Sequence, residues 1–183
     1  MLTATLDLTA ALKLSRTGDQ QAFAGLVREH QAMVYSIGWN FLRDRAQAED
    51  MAQEVFLHLY RNLGSIESTR HLTHWLRKVA THRSIDRVRQ AKLSRPVALE
   101  AVPEPAAAPN ESDPILSGKL ERLVAGLPPR PRMVVVLRFQ EELEPAEIAE
   151  ILGIPVGTVK SCLHRALALL RAKMQRQEKE AVR

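Results

Sequence analysis

Apolar residues recur at helical spacing along most of this 183-residue chain, and the most informative run lies near its end. Within Glu147 to Arg171, EIAEILGIPVGTVKSCLHRALALLR, the residues Ile148, Ala149, Ile151 and Leu152 mark the buried side of a helix expected from about Pro145 to Leu152. Gly153 supplies the permissive backbone of a sharp turn, Pro155 cannot continue the first helix, and Gly157-Thr158 leads into a second. In that second helix Val159, Leu163, Ala166, Leu167, Leu170 and Met174 form one apolar stripe, and the other face carries Lys160, Ser161, His164, Arg165 and Arg171. A short helix, a tight turn and a second helix with one cationic face make the arrangement that brings side chains to base edges and phosphates in a DNA major groove. An amphipathic helix with a solvated basic face would explain the second helix alone, but not the turn and helix before it.

The first half of the chain also reads as helices. Asp19 is placed to cap a helix starting near Gln20, with Phe23, Leu26, Val27, Val34 and Tyr35 inward and Ile37, Phe41 and Leu42 continuing that side. Asp44 precedes a second helix from Ala46 to Leu63, where Met51, Val55, Leu59 and Leu63 lie four apart with Phe56 and Tyr60 beside them, and Gly64 is expected to close it. A polar loop, Ser65 to His71, then leads to a third helix from about Leu72 to Leu93, with Leu72, Trp75, Leu76, Val79, Ile85 and Val88 available for packing. Between the two halves, PVALEAVPEPAAAPNESDP (96–114) combines repeated proline and acidic residues with few bulky apolar groups, so an extended linker is expected there. The expected fold is all-α, with two small helical domains: an N-terminal helical bundle (1–95) and a C-terminal helix-turn-helix domain (115–183), joined by a flexible Pro/Ala-rich linker.

Charge adds direction. Lys and Arg number 26 against 21 Asp and Glu, a net charge of +5 that favours a polyanionic partner. The second N-terminal helix carries Glu49, Asp50 and Glu54, whereas the stretch from Arg70 to Arg95 is rich in Arg and Lys with Asp86 its one acid. Patches of opposite sign on one small unit point to two partners of opposite charge, although a solvated face with pairs such as Glu54 and His58 or Arg61 is the simpler account of the acids. The single cysteine, Cys162, excludes an internal disulfide framework and suits a reducing compartment. No run approaches the roughly 18 apolar residues of a membrane span, and the N-terminus lacks a secretory pattern. A cytoplasmic protein without membrane insertion is expected.

Catalysis finds little support. His71, His74, His82 and Asp86 are the only grouping with metal-like spacing, and they lie in an arginine-rich stretch that repels a cation. There is no phosphate-cradling glycine loop, HExxH helix or nucleophile elbow. No catalytic residue, metal or cofactor is expected. The non-enzymatic reading open from these residues alone is a two-domain helix-turn-helix regulator of duplex DNA, although a plain repressor has no use for the acidic helix.

Four blocks, AEDMAQEVFLHLYRNL (48–63), WLRKVATHRSIDRVR (75–89), LPPRPRMVVVLRF (127–139) and EIAEILGIPVGTVKSCLHRALALLR (147–171), resemble in order and spacing the signature blocks of bacterial sigma factors, in the short form of the extracytoplasmic-function (ECF) subgroup. The resemblance implies that core RNA polymerase is the partner, met through its β-prime clamp helices by Asp50, Gln53 and Glu54. It implies that the third helix holds the melted minus-ten element, with Arg77, Lys78, Arg83, Arg87 and Arg89 on phosphates and His82 and the Ser65 to His71 loop near bases. Lys160, Ser161, His164 and Arg165 would enter the minus-thirty-five major groove of promoter DNA while the surrounding unit rests on the β flap. The linker would thread toward the active-centre cleft, and a dedicated anti-sigma factor would cover the same faces. Two departures stand out. His82 replaces the family's usual Asn, and Cys162 stands where Arg is common, which would remove one DNA contact. Aromatics are sparse, and Phe23, Tyr35, Phe56, Tyr60 and Trp75 have spacing that fits a core, so strand opening by stacking platforms is expected to be limited.

Overall fold

The computed structural model describes residues 7–94 and 114–181, and within them the chain forms eight α-helices, one short 3-10 turn and no strand. The order is α1 (Leu8–Arg16), α2 (Gln20–Leu42), α3 (Arg45–Asn62), the 3-10 turn Leu63–Ser65, α4 (Thr69–Ser94), α5 (Pro114–Ala125), α6 (Pro129–Phe139), α7 (Pro145–Leu152) and α8 (Val156–Ala181). The all-α expectation therefore holds. Pro114 opens α5, and the rest of the expected linker lies outside the described residues.

Helix starts follow the short polar side chains. Asp7, Asp19 and Asp44 each accept hydrogen bonds from the free N–H groups of the first turn of α1, α2 and α3. Ser68 does the same for α4 by accepting from the N–H of His71 at 3.1 Å. That cap starts the helix at Thr69, so the last three residues of the loop expected up to His71 are helical. The end of α3 also differs from expectation. The helix stops at Asn62 and tightens into the 3-10 turn containing Gly64, and Arg16 of α1 donates to the Leu63 carbonyl at 3.3 Å.

In the N-terminal half, α2, α3 and α4 pack around Leu26, Val34, Ile37 and Phe41 from α2, Met51, Val55 and Leu59 from α3, and Leu72, Leu76 and Ala80 from α4, all buried. Each Val, Leu, Ile, Met or Phe side chain among them contributes about 1.5–3 kcal/mol when fully withdrawn from water. Gly38 sets the distance between α2 and α3: a Cβ there would sit 3.5 Å from the Ala48 Cα and collide with the Met51 side chain. The same apolar cluster continues without a break through Met133, Val134 and Leu137 of α6, Leu143, and Ile148 and Ile151 of α7 to Val159 and Cys162 of α8. Its continuity means that the C-terminal half is docked on the N-terminal half, with α4 against α7 and α6, and α2 against α6. A smaller cluster, Leu123, Leu127, Val135, Ala166 and Leu170, ties α5 and α6 to the middle of α8.

Candidate nucleic-acid interface

In the helix-turn-helix, α7 begins with proline at its first turn, where a missing N–H costs nothing, and Glu147 reaches back to accept the Glu144 N–H at 2.9 Å. Gly153 ends it in the left-handed region, φ 62°, and the Ile154 N–H returns to the Ala149 carbonyl at 3.1 Å. The Thr158 N–H then bonds the Pro155 carbonyl at 2.9 Å and α8 is under way from Val156. This closely follows the boundaries read from the sequence, because proline, glycine and the acidic cap act locally.

Along α8, Val159, Cys162, Ala166 and Leu170 are buried, while Lys160, Ser161, His164 and Arg165 are all exposed on the far side. The buried stripe is rotated slightly from the one expected, with Leu163 and Leu167 at its half-buried margin. Cys162 is 3% exposed, so its thiol belongs to the core and does not stand on the surface the helix would present to DNA. The expected loss of a DNA contact there is therefore corrected: a small, weakly polar side chain packs where an arginine would be stranded. Arg165 folds back, donating from Nε to the Ser161 carbonyl at 3.3 Å, and Ser161 donates to the Gly157 carbonyl at 2.8 Å.

The basic helix α4 is more occupied than its sequence indicates. Arg83 and Arg87 both pair with Glu54 of α3 at 2.8 Å, and Arg87 also donates to the Gln47 carbonyl at 2.6 Å. Glu54 is half-exposed, so each pair is worth at most about 1 kcal/mol. Arg77 pairs at 3.1 Å with Glu141, beyond the end of α6, whose side chain is only 7% exposed. Burial pushes the Glu141 carboxyl above its usual range, and the opposing pull of Arg77 does not cancel it. The Nε2 of His82 is 2.8 Å from the Ile151 carbonyl in α7, so in this arrangement Nε2 carries the proton and donates. Lys78 is exposed, and Arg89 lies 3.9 Å from Asp86 with both side chains in solvent.

The acidic helix α3 presents Asp50 and Gln53 to solvent, while Glu49 is held by Arg45 one turn away at 2.8 Å. Beside them lies a feature the sequence did not disclose. An open groove of about 740 Å³ between α2 and α3 is lined by Phe23, Val27, Tyr35, Phe56, Leu57 and Tyr60, with Glu49 and Gln53 at its rim. Leu57 is 58% and Tyr60 49% exposed, and Phe23 meets Tyr60 edge to face at 5.1 Å. Tyr60 was expected in the core with the other aromatics. Leu57 lies between the buried residues Phe56 and Leu59 in sequence, and its exposed position was the available signal, since helical geometry turns it away from both. Among the described residues no three His, Cys, Asp or Glu side chains converge as a metal site, and no helix is long and apolar enough to cross a membrane.

Comparison with known proteins gives this geometry its family. Residues 26–93 match the Sigma-70 region 2 family and residues 117–170 match Sigma-70, region 4. The ECF RNA polymerase sigma factor SigW of Bacillus subtilis is 35% identical over 90% of this chain and 95% of its own length. SigE of Mycolicibacterium smegmatis, another ECF sigma factor, is 32% identical over 94% of this chain and 70% of its own. Two solved structures share the fold: RpoE of Bartonella quintana, in complex with the anti-sigma factor NepR, at TM-score 0.70 and 19% identity over 84% of this chain and 96% of its own, and CnrH, in complex with the cytosolic domain of CnrY, at TM-score 0.65 and 20% identity over 91% and 96%. The helices α3 and α4 fall in the first matched region and the helix-turn-helix in the second, and the chain belongs to the ECF group of RNA polymerase sigma factors.

Proposed function

We propose that this sigma factor divides its work as its surfaces divide. The groove between α2 and α3, with Asp50, Gln53 and Glu54 along α3, docks on the β-prime clamp helices of core RNA polymerase. An apolar groove rimmed by carboxylates fits a partner helix that offers apolar anchors and basic side chains. The helix α4 then carries Arg77, Lys78, His82, Arg83, Arg87 and Arg89 to the minus-ten element as melted single strand, where stacking is scarce and phosphate contact dominates. The helix α8 reads the minus-thirty-five major groove through Lys160, Ser161, His164 and Arg165, with α5 to α7 against the β flap. The molecule carries out no chemistry itself, works where the polymerase is, in the cytoplasm, and is held in reserve by an anti-sigma factor, as the relative RpoE is bound by NepR. The units 1–95 and 115–183, with 96–114 as the tether, are the two halves of this division.

The observation that carries this reading is the exposed polar face Lys160, Ser161, His164 and Arg165 on a helix whose opposite face is fully committed to the core. Transcription of pooled genomic DNA by core polymerase, with and without this protein, tests it by mapping transcript 5′ ends. New starts sharing two upstream elements are expected. Failure both to bind polymerase and to create starts would replace this reading with that of a regulator acting on duplex DNA alone.

A further inference from the structure

The segment that joins α3 to α4 is short, exposed and closely tied. Ser65 donates from Oγ to the Asn62 carbonyl at 2.8 Å, the Ile66 N–H returns to the Leu63 carbonyl at 3.2 Å, and the Ile66 side chain is wholly buried. Ser68 accepts the His71 N–H on its hydroxyl at 3.1 Å and the Leu72 N–H on its carbonyl at 2.9 Å. Between these anchors the Glu67 N–H donates to Nδ1 of His71 at 3.2 Å. Ser68-Thr69-Arg70-His71 thus has the spacing of a capping box, in which the first side chain caps the third helical residue and that residue reaches back toward the start of the helix. The returning side chain is ordinarily Glu or Gln. Here it is an imidazole, and it reaches one residue further back, to Glu67.

Because Nδ1 accepts, the ring carries its proton on Nε2 and makes this bond as an uncharged group. A carboxylate in its place would make the same bond and repel an approaching phosphate. Around it the side chains of Ser65, Glu67, Ser68 and Arg70 are exposed and form a polar edge that leads into the basic helix α4. We infer that His71 is a positioning residue of the minus-ten surface: its imidazole pins residues 65–68 against the first turn of α4, so that this edge meets the strand in one fixed shape, and it does so without adding negative charge. The inference rests on the assignment of α4 and the segment before it to the minus-ten strand. It moves His71 out of the base-contacting loop and into the frame that holds the loop.

The test uses the full chain assembled with core polymerase, and single-stranded oligonucleotides carrying the minus-ten sequence found by start mapping and each single-base change of it. His71→Ala should weaken binding to the matched strand about fivefold and shrink the discrimination against changed strands, because a loosened edge must be ordered anew on binding. His71→Gln, whose amide oxygen can accept the Glu67 N–H, should restore both affinity and discrimination. His71→Glu should keep the discrimination but weaken every strand alike, and more so at low salt, where the added charge is less screened. Binding to minus-thirty-five duplex should be the same for all three and the wild type. A His71→Ala protein that keeps the wild-type base discrimination, whatever its affinity, would overturn the inference and leave His71 a helix cap. A Gln variant as impaired as Ala would also overturn it, by removing the hydrogen bond as the cause. In both cases the sigma-factor reading would stand, whereas a wild-type assembly that starts transcription nowhere would take both down.

Discussion

Arg165 and Asp50 show what a single residue contributes on either side of this molecule. Arg165 is exposed with only its Nε spent, on the Ser161 carbonyl, so its terminal guanidinium nitrogens are available for the bidentate contact with guanine that is the commonest specific contact in a major groove. Arg165→Ala should weaken binding to minus-thirty-five duplex by about 1–3 kcal/mol and relax base preference at one position. Titration against a panel of single-base variants measures both, and a loss uniform across the panel would demote Arg165 to a phosphate contact. Asp50 is exposed beside the apolar groove, so Asp50→Arg should lower affinity for core polymerase in a pull-down or anisotropy titration while leaving the thermal midpoint within about 2 °C, as surface changes usually do. Single residues were legible in sequence where they face solvent from a regular helix, as Lys160, Ser161, His164 and Arg165 do. They were illegible where a distant segment claims them. Nothing near Arg83, Arg87 or Glu54 in sequence announces that the acidic and basic helices neutralise each other across 29 and 33 residues of chain. Nothing near Arg77 announces Glu141, 64 residues away. Cys162 misled for a related reason: one residue sits within a helix turn of both faces, and a stripe through Leu163 or through Cys162 satisfies the same periodicity.

Elements were read well where punctuation is chemical and poorly where packing decides. Asp19, Asp44, Pro145 and Gly153 mark helix ends by satisfying or removing backbone groups, and the structure begins and ends helices there. The nine-residue α1 was missed because so short a helix is not stable by itself, and it exists because Ala11 and Leu12 enter the core and Arg16 holds the Leu63 carbonyl. Gly64 was misread as a stop although its backbone is not left-handed, while Gly153 at φ 62° is a stop that only glycine adopts freely. A Cβ at Gly153 would meet nothing within 4 Å, so Gly153→Ala isolates the backbone cost from any clash. That substitution should destabilise the protein by about 1–2 kcal/mol in chemical denaturation. It should also weaken minus-thirty-five binding, because the turn sets the angle between α7 and α8. A stability within error of wild type would show that the turn relaxes without cost.

At the scale of the whole molecule the sequence predicted two units and a tether, but it held no sign that the units close on each other, since interface residues such as Ile148, Ile151 and Met133 look like ordinary domain core. Closure buries Glu141, and this makes the arrangement sensitive to acid in a definite direction. Burial raises the Glu141 carboxyl above its usual value of 4.5 more than Arg77 lowers it, so the docked form takes up a proton more readily than a form with Glu141 in water. A raised folded-state value means the contribution to closure is fully present below the ordinary carboxylate range and is lost as pH rises through the raised value. The closed fraction should therefore increase as the solution is acidified from neutrality toward the ordinary carboxylate range. His71, His74, Glu147 and Glu150 line the adjoining cleft with Arg70 and Arg77, and His82 bonds Ile151, so Glu141 is not the only ionisable group near this contact. Glu141→Gln separates them: it keeps the shape, fixes the side chain in its neutral form, and should stay closed as pH changes to the extent that Glu141 alone is responsible. Energy transfer across the two halves, followed against pH for both proteins, gives the answer as a difference curve. A rise with acidification present in the wild type and absent in Glu141→Gln identifies Glu141 as the group, whereas superimposable curves would assign any acid response to the histidines of the cleft.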